Sequence, residues 1–162
     1  MLRNMTAIYL MAGEHVLFLY RRGSRVVPDS YTGTAGGHFE PDELNDPFAC
    51  VMRELREETG LTADDITPPR LRYVTLRCTN GEIRQNYYFF AELRDPSRIV
   101  VSNEGDVFAV LPEDALTLNM PHTAKFMFRH WLEIGRYDHR LYCGAASSDG
   151  GVMFTELSEE SL

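Results

Sequence analysis

Three glutamates within Arg53–Leu61, which reads RELREETGL, constrain this chain more than any other feature. In an α-helix, residues three or four positions apart share a face. Glu54, Glu57 and Glu58 would therefore form one stripe of neighbouring carboxylates. Like charges at that spacing destabilise an isolated helix. A hard divalent cation with oxygen ligands would offset the repulsion, so the spacing predicts a Mg²⁺ or Mn²⁺ site.

The flanking residues predict that these carboxylates stand on a helix with defined ends. Asp46 is a favourable N-cap, and Pro47 suits the first helical position. Apolar residues recur at helical spacing at Phe48, Val51, Met52 and Leu55. Gly60 can end the helix in a left-handed conformation. Upstream, Gly36 and Gly37 allow close approach of backbone to a ligand, with the Gly37 carbonyl available as a further ligand.

The stretch Gly36–Leu61 resembles the box that defines the Nudix family, G-x5-E-x7-R-E-U-x-E-E-x-G-U, where U is aliphatic. The second half matches throughout, at Arg53, Glu54, Leu55, Glu57, Glu58, Gly60 and Leu61. Gly37 and Glu43 match the first half, but nine residues separate Glu43 from Arg53 where the pattern has seven. A loop before the helix could absorb the extra pair. Strict spacing would select Asn45, which is not a carboxylate.

The resemblance implies an α/β protein with the Nudix fold, an α/β/α sandwich with a central mixed β-sheet and peripheral hairpins. It also implies hydrolysis of a nucleoside diphosphate linked to a group X, giving a nucleoside monophosphate and phosphate-X. The implied metal ligands are Glu54, Glu57, Glu58 and the Gly37 carbonyl. Glu54 is also the favoured general base, and Arg53 orients either Glu43 or Glu57.

The totals are those of an ordinary globular protein. A chain of 162 residues suits one domain over residues 1–162, and 44% hydrophobic content can build a core. The net charge of −8 argues against binding nucleic-acid polymers. Three cysteines, without disulfide or zinc spacing, fit a reducing cytosol. We expect no signal peptide and no membrane span, and hence a cytoplasmic protein. Association into a homodimer is possible on this sequence.

Alternating apolar segments and turn residues predict the remaining elements. The expected strands are Met5–Met11, His15–Tyr20, Leu71–Cys78, Ile83–Leu93, Val107–Leu111, Arg140–Ala146 and Gly151–Leu157. Residues 26–35 are expected to form a loop, and Pro121–Gly135 a second helix. Phe126, Met127, His130, Trp131 and Ile134 are expected near the face that packs on the sheet.

Three side chains could bind the substrate. Arginines bind phosphate oxygens in a bidentate way, and FLYRR resembles the strand end where MutT-type Nudix enzymes contact the nucleotide. Of Arg21 and Arg22, we favour Arg22. Tyr31 could stack on a base, although packing against the sheet is favoured. Gln85 could read a base edge, although its aromatic neighbours indicate a core strand.

The resemblance adds three more residues. His38 stands where MutT-like members often carry a lysine, so it either touches phosphate or is an exposed loop histidine. Glu104 lies in a later loop from which several Nudix enzymes extend a glutamate to the metals or use it as the base. An ordinary acidic loop is an equal alternative. His122 begins the second helix, near where MutT-like enzymes place a base-reading side chain.

The substrate is a nucleotide on this reading, but the base is not determined. FLYRR, GGHFE and RYVTLRCTNGEIRQNYYFFAEL resemble MutT-like triphosphate pyrophosphohydrolases, including those that act on 8-oxo-dGTP. An ADP-ribose or nucleotide-sugar pyrophosphatase is the first alternative. A nucleotide-binding regulator without turnover is the second, and the complete glutamate set argues against it. The structural alternative is a solvated acidic helix with no ligand.

Overall fold

The computed structural model describes residues 1–23 and 28–159, and within them the chain forms eight strands and two α-helices. The strands are β1 (Leu2–Ala12), β2 (His15–Arg21), β3 (Ser30–Thr32), β4 (Arg70–Thr79), β5 (Glu82–Glu92), β6 (Asp106–Val110), β7 (Leu141–Ala146) and β8 (Val152–Leu157). The helices are α1 (Pro47–Thr59) and α2 (His122–Glu133), with short 3-10 helices at Pro112–Thr117 and Gly135–Tyr137.

One mixed sheet carries the strands in the order β3-β2-β1-β5-β4-β7-β8, and β6 pairs with β2. The β1–β5 and β4–β7 pairs are parallel, and the other pairs are antiparallel. Strand β2 pairs with β1 only as far as Leu17 and then continues alongside β3. This divergence leaves part of the β1 edge free for the loop that precedes α1.

The glycine-containing loop uses that free edge. The Thr6 amide donates to the Gly37 carbonyl at 2.8 Å, and the Ile8 amide donates to the Ala35 carbonyl at 2.9 Å. Two backbone hydrogen bonds thus fix the loop against the centre of the sheet, because unpaired strand edges require partners. The arrangement places Gly36 and Gly37 beside the middle of β1.

The two helices cover opposite faces of the sheet, so the predicted α/β/α sandwich is confirmed. One core cluster joins α1 to the sheet and includes Ile8, Leu10, Val51, Leu55 and Phe89. The other joins α2 to the sheet and includes Tyr9, Phe18, Phe90, Met127, Phe128 and Trp131. Fully burying one such side chain contributes about 1.5–3 kcal/mol. None of the helices in the described ranges is long and apolar enough to cross a membrane.

Three details differ from the sequence expectation. Ser30–Thr32 forms β3 instead of a loop because the diverging strand β2 offers it a free edge, whereas positions 26 and 27 lie outside the described residues. On α1, Phe48 is half exposed. On α2, Phe128 is buried and Ile134 is half exposed, because the helix ends at Glu133.

Candidate active site

Helix α1 begins and ends where its capping residues predict. The Asp46 carboxylate accepts from the Ala49 amide at 2.9 Å. Gly60 has φ of 74°, and its amide donates to the Arg56 carbonyl at 2.9 Å. The buried face of the helix carries Cys50, Val51, Leu55 and, unusually, the carboxylate of Glu58. A buried carboxylate is costly unless donors or a cation compensate its charge.

Arg53 connects most of the box carboxylates. Its Nε and Nη2 donate to the two carboxylate oxygens of Glu43 at 2.6 and 2.9 Å. Its Nη1 donates to Glu54 Oε1 and to Glu57 Oε2, each at 3.0 Å. The bidentate guanidinium holds the pKa of the Glu43 carboxyl down at about 2. Arg53 therefore fixes the orientation of three carboxylates, including both partners that the sequence left open.

The two extra residues before α1 do not separate Glu43 from Arg53. The Glu43 amide donates to the Glu40 carbonyl at 3.0 Å, and the Asp46 amide donates to the Glu43 carbonyl at 2.8 Å. These tight turns fold residues 40–46 back toward the helix. The insertion is absorbed at the N-cap, and Glu43 is 6% exposed.

Glu58 is the most buried of the three helix glutamates, at 8% exposure. Its Oε2 accepts from the Gly36 amide at 3.4 Å, and its Oε1 lies 3.7 Å from Arg21 Nη2. Burial raises the pKa of the Glu58 carboxyl to about 7, with Arg21 opposing and Glu54 and Glu104 adding to the shift. Three carboxylates therefore lie close enough to repel one another around this position.

Glu54 lies directly against the glycine loop. A Cβ atom at position 37 would overlap the Glu54 carboxylate, so a larger residue there would displace that carboxylate. A Cβ at position 36 would overlap the backbone of Thr6. The loop thus requires both glycines for close approach, one to the sheet and one to the carboxylate.

A second loop brings Glu104 to the same place. Asn103 donates from its backbone amide to the Glu58 carbonyl and from Nδ2 to the Glu57 carbonyl, each at 3.0 Å. These bonds satisfy carbonyls at the end of α1 that lack a partner within the helix. Glu104 Oε2 then accepts from Arg21 Nη2 at 2.8 Å. No sequence signal marks Asn103, because its bonds join it to the end of a helix that lies far away in the chain.

Arg21, and not the favoured Arg22, lies at the carboxylates and the cavity. Alternation along β2 points Leu19 and Arg21 to the same side, where both border a cavity. Arg22 follows the last paired residue of β2 and is exposed. The two-residue period counted from Leu19 places Arg21, and not Arg22, on this side of the strand.

The other predicted substrate contacts are scattered. Tyr31 packs against Tyr20 and Phe108, with ring centroids 4.9 and 6.1 Å away, as its packing alternative expects. His38 is exposed, and its carbonyl accepts from Arg53 Nη2 at 3.0 Å.

Two more predicted contacts lie against aromatic side chains. Gln85 contacts the Tyr87 hydroxyl on the face of β5 opposite Arg84 and Asn86. His122 is exposed at the start of α2, beside the Phe126 ring at 5.0 Å.

A cavity of about 210 Å³ opens beside the carboxylates. Arg21 and Gly36, which both contact Glu58, form part of its wall. The rest of the wall comes from the strands β1 to β5, the glycine-containing loop and the start of α2, and includes Ala7, Tyr9, Arg77, Arg84, Asn86, Tyr88, Pro121 and Thr123. A ligand in this cavity would have one end next to Glu58.

The donor set fits a hard divalent cation. Glu54, Glu57, Glu58 and Glu104 offer only carboxylate oxygens, which Mg²⁺ and Mn²⁺ prefer. The Glu54 carboxylate lies against Gly37, whose carbonyl accepts from the Thr6 amide. In the described parts of the chain, no three acidic, histidine or cysteine side chains already form a ligand cluster. Arginines instead neutralise these carboxylates, so a cation would share or replace those contacts.

Comparison with known proteins indicates the family to which this chain belongs. A model of the NUDIX domain family matches residues 1–132 of this chain. No curated protein sequence matches it. MutT from Bacillus halodurans is 22% identical with a TM-score of 0.64, and the match covers 95% of this chain and 97% of that one.

Two further solved structures have the same fold. An Ap4A hydrolase from C. elegans is 22% identical with a TM-score of 0.60, covering 81% of this chain and 96% of that one. The E. coli dihydroneopterin triphosphate pyrophosphohydrolase is 17% identical with a TM-score of 0.61, covering 82% and 94%. These proteins differ in what their names say they hydrolyse, so the likeness leaves the substrate open.

The family match covers the box, the glycine loop and most of α2. Nudix hydrolases generally use divalent cations and act on small nucleotides, and the match supports a pyrophosphohydrolase. This chain belongs to the Nudix family.

Proposed function

We propose that this chain hydrolyses a phosphoanhydride bond of a nucleoside diphosphate linked to a group X, with Mg²⁺ or Mn²⁺. A nucleoside triphosphate would give the monophosphate and pyrophosphate, and triphosphates, including 8-oxo-dGTP, are the first substrates to test. One observation carries the proposal. The buried carboxylate of Glu58 contacts Arg21 and Gly36, which also border the cavity, so the acidic ligands lie at the edge of the cavity.

The proposed cation ligands are Glu54, Glu57, Glu58, Glu104 and the Gly37 carbonyl. A bound cation neutralises phosphate charge and lowers the pKa of a bound water. Arg53 acts as a positioning residue, because its hydrogen bonds to Glu54 and Glu57 hold both carboxylates near the loop. Such fixed geometry matters since phosphoryl transfer depends mainly on positioning and electrostatics.

Two side chains have proposed roles toward the substrate. Glu54 accepts a proton from the attacking water, since its carboxylate lies at the glycine loop and is oriented by Arg53. Arg21 binds a phosphate oxygen at the cavity mouth after leaving Glu104, because the two anions compete for the same guanidinium. The nucleoside then lies in the cavity beside Asn86 and Tyr88.

The test is hydrolysis of a panel of nucleoside triphosphates, 8-oxo-dGTP, ADP-ribose and dinucleotide polyphosphates with Mg²⁺ or Mn²⁺. Glu57→Gln and Glu58→Gln should each lower kcat by about a hundredfold or more, as expected when charge stabilisation of the reacting phosphates is lost. Glu14→Gln is the matched control, because Glu14 is exposed in the turn between β1 and β2.

Two outcomes would contradict the proposal. Equal turnover by the wild type and Glu57→Gln would refute the metal assignment. Nucleotide binding without turnover of any panel member would favour the regulator instead.

A further inference from the structure

Three arginines occupy neighbouring positions on three adjacent strands. Arg3 on β1 is the register partner of Arg84 on β5, and Arg84 is the register partner of Arg77 on β4. Register partners point to the same face of a sheet, and like charges placed directly opposite destabilise the pair. A chain with a net charge of −8 therefore concentrates positive charge at one point of its sheet.

Among the described contacts, one carboxylate forms ion pairs with these arginines. Glu82 accepts from Arg3 Nε at 2.9 Å and from Arg84 Nε at 2.7 Å. Arg77 donates its Nε to the neutral hydroxyl of Thr79 at 2.8 Å, and no salt bridge to it occurs within residues 1–23 and 28–159. Three cations and one anion leave an excess of two positive charges.

The excess charge faces the proposed substrate cavity. Arg77 and Arg84 both border the cavity, as do Arg21 and Gly36 at the carboxylates. The glycine loop, β1, β5 and β4 lie side by side in that order. With neighbouring strands about 4.8 Å apart, Arg77 stands about 14 Å across the sheet from the glycine loop. The cavity thus has carboxylates beside one end and two arginines at the other.

The wall of the cavity offers a second, independent sign of a ligand. Tyr9 borders the cavity and is fully buried, and its hydroxyl has no hydrogen-bond partner among the described residues. Its ring lies 5.3–5.6 Å from the rings of Phe18, Phe90 and Phe128, which offer no acceptor. Buried hydroxyls are normally paired, so a polar ligand atom in the cavity would satisfy this one.

We propose that Arg77 and Arg84 form an anion-binding subsite that selects nucleotides carrying a second phosphate, a phosphomonoester on the nucleoside remote from the phosphoanhydride. Guanidinium groups bind phosphate in a bidentate way, and a dianion placed between two facing arginines removes their repulsion. The inference rests on the proposed function for the position of the diphosphate, and it narrows the substrate class of that same site.

The experiment is calorimetric binding, which needs no turnover. Adenosine 2′,5′-bisphosphate and adenosine 3′,5′-bisphosphate are compared with AMP, in the presence of Mg²⁺, on the full chain. We expect the wild type to bind at least one bisphosphate about tenfold more tightly than AMP, since a charge-assisted hydrogen bond contributes on that scale. Arg77→Met combined with Arg84→Met should bring the ratio close to one. Arg94→Met, which removes an exposed arginine outside the cavity, should keep the wild-type ratio.

Arg77→Met alone serves as the second variant, because it leaves the Arg84–Glu82 ion pair in place. It should lower the ratio while thermal unfolding stays at or above that of the wild type, since one repulsive neighbour is gone. Equal affinity of the wild type for AMP and both bisphosphates would overturn the proposal, as would an unchanged ratio in the double variant. Affinities that follow the base in AMP, GMP, CMP and UMP, with no gain from a second phosphate, would also overturn it.

Hydrolysis of the nucleotide panel, extended by nucleoside triphosphates that carry a 2′- or 3′-phosphate, separates this inference from the proposed function. A bisphosphate preference that depends on Arg77 and Arg84, without hydrolysis of any panel member, would refute the proposed function and support the anion subsite. Hydrolysis without that preference would support the proposed function and refute the anion subsite.

Discussion

At the scale of single residues, the site depends on close contacts that a substitution would disturb. Gly37 is packed against the Glu54 carboxylate, and Arg53 holds three carboxylates at once. The box pattern predicts these residue types, because it records which positions must be glycine, arginine or glutamate. It does not predict Arg77, Arg84 or Tyr9, because the roles we assign to them arise only when distant strands come together.

Gly37→Ala should lower kcat by about a hundredfold or more while the chain stays folded, because the new Cβ displaces Glu54 from its position. The matched control is Gly60→Ala, where open space surrounds the Cβ but φ of 74° is unfavourable for alanine. We expect Gly60→Ala to cost about 1 kcal/mol of unfolding free energy and to keep most activity. Steady-state kinetics and urea unfolding of both variants measure this, and similar kinetics for the two would contradict it.

The Glu43–Arg53 ion pair should make stability fall in acid. Because the pKa of Glu43 is lowered to about 2 in the folded chain, its contribution is present above the unfolded value near 4.3 and is lost as pH falls toward 2. Glu43→Gln should cost about 2 kcal/mol of unfolding free energy at neutral pH, since a charged hydrogen-bonded pair is broken. The difference from wild type should shrink as pH falls from 5 to 2.

Urea unfolding across that range is the measurement for the pair, and Asp42→Asn, at an exposed neighbouring position, is the control. A wild-type to Glu43→Gln difference that stays constant with pH would show that the ion pair does not supply the stability.

At the scale of elements, the sequence predicts the order of the helices and strands and the helix caps. It does not predict which strand edges pair. Asp46 and Gly60 mark the ends of α1, and the Asn80-Gly81 turn marks the β4–β5 hairpin, because each acts within a few residues. β3 was missed because it exists only where β2 diverges from β1. The Glu104 loop also depends on a distant contact, the bonds from Asn103 to the end of α1.

Asn103→Ala should therefore loosen residues 102–105 and reduce kcat by about tenfold, because Glu104 is no longer held near the other carboxylates. Global stability should change by about 1 kcal/mol or less, since the loop lies at the surface. Faster amide hydrogen exchange confined to that loop is the diagnostic readout. Asn45→Ala, at an exposed position before α1, is the control, and unchanged exchange in the Asn103 variant would contradict the account.

Helix α2 should bind the sheet less firmly in mild acid. His130 Nδ1 lies 2.8 Å from the Tyr73 hydroxyl, and its ring packs against Tyr142 and Phe154 at 4.6 Å. Burial lowers the pKa of His130, with Asp138 and Glu133 opposing. Stability is then fully present above the unfolded value of about 6.5 and is lost as pH falls through the lower folded value.

The measurement is the melting temperature between pH 7.5 and pH 5, compared with His130→Gln, which cannot titrate there. The wild type should lose more stability than the variant over this interval. An equal loss of melting temperature in the two proteins would show that a group other than His130 causes the loss.

At the scale of the whole molecule, the fold places carboxylates beside one end of a cavity and two arginines at the other end. The carboxylates come from α1 and the Glu104 loop, and the cationic end comes from β4 and β5. The sequence predicts the family and the first end, because the box is contiguous in the chain. It does not predict the second end, because only sheet register places Arg77 beside Arg84.

The central claim is that the glutamates of α1 hold a divalent cation beside the glycine loop. Anomalous scattering from a crystal soaked in Mn²⁺ tests it most directly. The account predicts an anomalous peak among Glu54, Glu57 and Glu58, next to the Gly37 carbonyl, and no peak there in Glu57→Gln combined with Glu58→Gln. Wild-type crystals in which these side chains extend into solvent, with no manganese among them, would contradict it.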